Sequence, residues 1–82
     1  MKVQERVRRF ILEELNWDRP AADLTDEFPL LESGAVDSMG VFNLVSFLEE
    51  EYGVHIPDQD LVPENFGTIG GIARLLDSRK AP

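Results

Sequence analysis

The sequence predicts an all-α fold, a small bundle of helices. Apolar residues recur at helical spacing in three separate stretches, and no segment reads as a credible strand. The chain has 82 residues and no cysteine, so neither disulfides nor thiolate metal sites help to hold it together. A modest core built from helices with local contacts is the solution that remains.

Val3, Val7, Phe10, Ile11 and Leu15 repeat at helical spacing, which makes 3–16 the first amphipathic helix. Residues 17–36 form a long connection containing Pro20, Pro29 and Gly34. A loop of that length is unusual in a compact domain. Leu24, Phe28, Leu30 and Leu31 are expected to pin it to the core by packing. Residues 38–52 form the second helix, stopped by Gly53 and Pro57. Its buried stripe is Val41, Leu44, Val45, Leu48 and Tyr52. At about 100° per residue, Met39 points nearly opposite that stripe. Asn43, Ser46 and Glu50 share its outward side, with Phe42 and Phe47 on the flanks.

Residues 54–67 make a connector in which 63–66 can form one helical turn started by Pro63. Thr68 then caps a last helix whose stripe is Ile69, Ile72, Ala73 and Leu76. Gly70 and Gly71 weaken its first turn by roughly 1 kcal/mol each, marking either a flexible spot or close packing. The whole, 1–82, reads as a single domain whose last few residues are a loose tail.

Formal net charge is −8, unevenly spread. Residues 18–64 hold twelve acids against Arg19. Such a middle repels nucleic acid and steers the protein towards partners with Lys/Arg patches. Charge alone also keeps a small protein soluble. No apolar run is long enough to span a membrane. Arg6, Arg8 and Arg9 give the N-terminus a look of a transit peptide, which Glu5, Glu13 and Glu14 spoil. A cytoplasmic monomer without membrane contact is expected.

Catalysis finds little support. Ser38, His55 and Asp37 supply the residue types of a hydrolytic triad. Asp37 is adjacent to the serine rather than placed to orient the histidine, and His55 lies beyond the far end of the Ser38 helix. A G-x-S-x-G elbow is absent. Asp58 and Asp60 suggest calcium, but the chain offers Val62, Pro63 and Ile69 where an EF-hand needs an oxygen donor, glycine and glutamate. Neither enzyme nor metal site is predicted.

What remains is Ser38 itself. A hydroxyl at a helix start is ordinarily a cap, yet backbone N–H groups and the helix dipole there would also favour an attached phosphate. The stretch Leu31-Glu32-Ser33-Gly34-Ala35-Val36-Asp37-Ser38-Met39 is followed by Leu44-Val45 and Leu48-Glu49-Glu50-Glu51-Tyr52. Ile56-Pro57-Asp58 and Phe66-Gly67-Thr68-Ile69 come later. Together, over nearly the whole chain, these resemble the acyl carrier protein family.

The resemblance implies a four-helix bundle with a long first loop and a short third helix. It implies that Ser38 receives 4′-phosphopantetheine from coenzyme A, through a Mg²⁺-dependent phosphopantetheinyl transferase. The arm's thiol would hold the cargo as a thioester, which explains thiol chemistry in a chain without cysteine. Asp37 would lie beside the arm. Met39, Phe42, Asn43, Ser46, Glu49 and Glu50 would form the docking surface, so Glu49→Lys or Met39→Asp should slow loading without changing helical content. The partners implied are an adenylating ligase or acyltransferase that loads cargo, and a downstream acyltransferase or synthase with a basic patch.

Fatty-acid carriers of this family commonly place acids two and five residues after the serine; here stand Gly40 and Asn43. The connector with Leu61-Val62-Pro63 also looks longer. The reading is a discrete acyl or aminoacyl carrier of a specialised, polyketide-type or antibiotic pathway. A fatty-acid synthase carrier is the alternative within the family, and a non-covalent acidic helical module with Ser38 only a cap is the rival outside it.

Overall fold

A computed structural model describes residues 2–15 and 17–80, Lys80 by its backbone alone. It contains α1 (Val3–Glu14), α2 (Ser38–Tyr52), α3 (Pro63–Phe66) and α4 (Ile69–Lys80), with 3-10 turns at Ala21–Asp23 and Asp58–Asp60. There is no strand among the described residues. The architecture is the all-α, four-helix arrangement expected, with the long loop first and the short helix third. α1 ends at Glu14, earlier than its periodicity suggests, where the Leu15 N–H donates to the Ile11 carbonyl at 3.3 Å. Asn16 and the expected loose tail at 81–82 lie outside the described residues.

The core gathers one stripe from each helix. Val7 and Ile11 of α1, Leu44 and Leu48 of α2, Phe66 of α3 and Ile69, Ile72 and Leu76 of α4 are all closed to solvent. Each such side chain contributes about 1.5–3 kcal/mol by leaving water. Val41, Val45 and Tyr52 flank the α2 stripe and are half-buried. α4 packs against both α1 and α3.

The long loop is part of this core. Leu24 and Leu30 are buried as expected, joined by Val36, while Phe28 and Leu31 pack at its edge. Polar ties fix it as firmly. The Leu30 N–H donates to the Gly67 carbonyl at 2.8 Å, and the Gly70 N–H to the Asp26 carbonyl at 2.9 Å. Arg8 reaches from α1 to the Leu24 and Ala21 carbonyls, both at 3.0 Å. Trp17 meets Phe28 edge to face at 5.4 Å, with Arg19 over both rings.

Of the Gly70-Gly71 pair, Gly71 resolves as close packing. A Cβ on Gly71 would lie 2.9 Å from both the Glu64 and Asn65 carbonyl oxygens, so α3 rests on α4 only because no side chain intervenes. Thr68 caps α4 as expected, its hydroxyl accepting from the Gly71 N–H at 3.0 Å. The Arg79–Asp60 pair and the Asn65 side chain, which donates to the Asp60 carbonyl at 2.9 Å, tie the connector to the same platform. The bundle thus presents the start of α2 at one end, between loop, α1 and α3.

Candidate functional site

The start of α2 is built by Asp37. Its backbone is extended, and its Oδ1 accepts from the Gly40 N–H at 2.9 Å. Asp37 is therefore the cap, and Ser38 is the first helical residue. That assignment matters for the hydroxyl. Ser38 is exposed, and among the described residues its Oγ has no hydrogen-bond partner. The first-turn amides of Ser38 and Met39 have no acceptor within the helix either. An exposed nucleophilic oxygen thus sits over the positive end of a 15-residue helix.

Among the described residues, Met39 and Phe42 are the exposed large hydrophobic ones, 69% and 57% accessible. They face different ways. Phe42 joins Ser38, Leu31, Val41, Leu61 and Phe66 around an apolar cleft of about 300 Å³ between α2 and α3. Met39 and Asn43 line a second cleft, on the side of α1, with Leu15, Val36 and Gly40. Ser46 and Glu50 are exposed further along that side. The docking residues read as one surface are thus divided between two flanks of α2.

Glu49 is engaged within the fold. Its Oε2 accepts from the Ile56 N–H at 2.8 Å and lies 3.5 Å from His55 Nδ1. The carboxylate turns inward to hold the chain that leaves α2, instead of facing outward beside Glu50. His55 is exposed and its nearest charged partner is Glu49, far along the helix from Ser38.

Three residues take parts in the site that the sequence reading did not give them. Gly40 is buried, and a Cβ there would lie 2.9 Å from Val36 Cγ1. Its lack of an acid is a packing requirement as much as a loss of charge. Leu15 and Glu14 form the α1 wall of the second cleft. Their contact with α2 is tertiary, so periodicity within either helix carried no signal for it. No helix among the described residues is long and apolar enough to cross a membrane.

The site's residues suit a phosphodiester-linked arm: a hydroxyl at a helix start, unengaged among the described residues, and an apolar cleft alongside. Comparison with known proteins agrees. A model of the phosphopantetheine attachment site family matches residues 5–76. The chain is 40% identical over 58 residues to the probable acyl carrier protein PigG of a Serratia species, across 71% of this chain and 67% of that one. It is 32% identical over 80 residues to an acyl carrier protein of Helicobacter pylori, covering 98% and 97% of the two. Among solved structures, a chain in one described as "Crystal structure of FAD-dependent dehydrogenase" matches with a TM-score of 0.75 and 34% identity. The match spans 85% of this chain and 97% of that one, so the two are of similar length. The chain belongs to the acyl carrier protein family: a carrier rather than a catalyst, with covalent 4′-phosphopantetheine, served by a phosphopantetheinyl transferase and by acyl-handling enzymes.

Proposed function

We propose that Ser38 is the attachment residue and that the protein is a discrete acyl or aminoacyl carrier of a specialised biosynthetic pathway. The observation that carries the Ser38 assignment is the division of labour at the helix start. Asp37 supplies the cap, so the Ser38 hydroxyl is left exposed and, among the described residues, without a hydrogen bond. The arm, when bound, supplies the thiol that holds cargo as a thioester. The chain's own contribution is position: a dipole end for the phosphate and an apolar cleft lined by Val41, Phe42, Leu61 and Phe66. This arrangement also weakens the rival reading of a non-covalent module, in which Ser38 serves only as the cap.

The specialised reading is supported by the neutral first turns of α2, where Gly40 is buried and Asn43 carries no charge. The fatty-acid alternative draws support from the nearly full-length match to the Helicobacter pylori carrier. The structure described as an FAD-dependent dehydrogenase adds a partner class to test, a flavin-dependent dehydrogenase. Incubation with coenzyme A, Mg²⁺ and a broad-specificity transferase should add one phosphopantetheine mass to the protein and none to Ser38→Ala. An equal gain on Ser38→Ala would sink the assignment. Candidate ligases offered fatty, hydroxy and amino acids then separate the two carrier readings.

A further inference from the structure

Three clefts lie end to end along the seam between α1 and α2. The first, about 350 Å³, opens between Leu15, Val36, Asp37, Met39 and Gly40. The next, about 370 Å³, lies between Phe10, Asn43, Ser46 and Glu50. The last, about 360 Å³, is bounded by Arg6, Arg9, Phe10 and Phe47. Glu14 lines all three, Asn43 joins the first to the second, and Phe10 and Phe47 join the second to the third. They form one groove. Its α2 wall is the outward side already described; its other wall belongs to α1.

The chemistry of the groove selects its occupant. Phe10 and Phe47, stacked at 4.5 Å between ring centres, give the groove's middle and far stretch an aromatic wall. Its rim carries Glu14, Asp37 and Glu50, all exposed and none in an ion pair among the described residues. The arginines at the far end are already partnered, Arg6 by Glu51 at 2.6 Å and Arg9 by Glu13 at 3.6 Å. Unneutralised carboxylates above aromatic walls fit side chains that carry positive charge on apolar stems, which describes arginine and lysine. The same rim repels phosphate-rich surfaces.

Position names the kind of partner. The groove's head includes Asp37 and Met39, the two neighbours of Ser38, so an enzyme whose reacting centre reaches that hydroxyl covers it. Gly40 keeps the head open: even a methyl group there would lie 2.9 Å from Val36 Cγ1 and 3.5 Å from Leu15 Cδ1. We propose that the α1–α2 groove seats the transferase that modifies Ser38, through a segment bearing arginine or lysine among apolar residues. Glu14 of α1 is its specificity-determining contact. This rests on Ser38 being the attachment residue.

The test measures transfer of phosphopantetheine by a broad-specificity transferase, with KM for the carrier and kcat obtained separately by mass spectrometry. Glu14→Lys should raise KM about tenfold with kcat within about twofold, and high salt should erase most of the difference. Lysine in the last turn of α1 suits the helix dipole, so the fold is retained. Asn43→Lys, on the opposite wall, should shift KM in the same direction. Asp77→Lys makes the same charge change at an exposed position of α4 and should leave KM within about twofold. An unchanged KM in Glu14→Lys overturns the proposal. So does an equal rise in Asp77→Lys, which would reduce the effect to net charge. A wild-type dimer in sedimentation that Glu14→Lys dissociates would make a second copy the occupant and overturn it too. Failure of the underlying reading looks different, since wild type would then gain no mass at any transferase concentration.

Discussion

The two ends of α2 differ in what their side chains are engaged with. At the N-terminal end, Asp37 caps the helix, and Ser38, Met39, Phe42 and Asn43 are exposed. At the C-terminal end, Glu49 holds the Ile56 N–H, Glu51 pairs with Arg6 at 2.6 Å, and Tyr52 is half-buried. Gly53 closes that end in the left-handed conformation, φ 64°, where other residues are strained. The acid-rich end is thus largely engaged in the fold, and the neutral end is left open to other molecules. Charge clustered in sequence is not the same thing as charge offered to a partner. Of the three consecutive glutamates, only Glu50 faces solvent without an ion pair among the described residues.

The largest break in this contrast should come from Glu49→Lys. Removing the carboxylate leaves the part-buried Ile56 N–H without an acceptor, which costs about 1–3 kcal/mol. The urea midpoint should fall accordingly, while transfer to Ser38 in the folded fraction stays near wild type. Slowed transfer at unchanged stability would return Glu49 to the docking surface. At the other end, Asp37→Ala should cost about 1 kcal/mol through the lost cap, whereas Asp37→Asn keeps the acceptor and the stability. Because asparagine caps without charge, any slowing of transfer in Asp37→Asn reports on the carboxylate as a contact. Equal stability of the alanine and asparagine variants would show that the Gly40 hydrogen bond does not anchor the helix.

How much of this was legible follows from the range of each interaction. α2 and the single turn of α3 were readable because spacing, Pro63 and Gly53 are local signals, and Thr68 announces its cap within three residues. The loop's attachment was readable from Leu24 and Leu30, since apolar residues must go somewhere. Its partners were not: Leu30 to Gly67 and Gly70 to Asp26 cross the bundle, and nothing near those residues encodes the pairing. The candidate site divides the same way. Ser38 stood out from its neighbours in sequence, but whether it or Asp37 caps the helix depends on one backbone angle. Gly40 read as a missing acid, and only Val36 and Leu15, brought against it by folding, give the physical reason. Glu49 joins the docking set only through the family resemblance, which takes no account of a chain that doubles back to offer its Ile56 N–H.

The smallest effect belongs to the last residue of α2. Burial raises the Tyr52 phenol above its ordinary value, and Glu51 adds to this while Arg6 opposes it. The unfolded phenol ionises near pH 10, at about the free value. Between that pH and the raised folded value, the native state keeps a proton that the unfolded state has lost. Stability from this group is therefore fully present below about pH 10 and declines as pH climbs through the folded value. Tyr52→Phe has no such proton, so its urea midpoint should run parallel to wild type up to about pH 10 and fall less steeply above it. Profiles that stay parallel throughout the alkaline range would mean that Tyr52 meets water as freely in the fold as out of it. The closed end of α2 would then be looser than its carboxylate contacts imply.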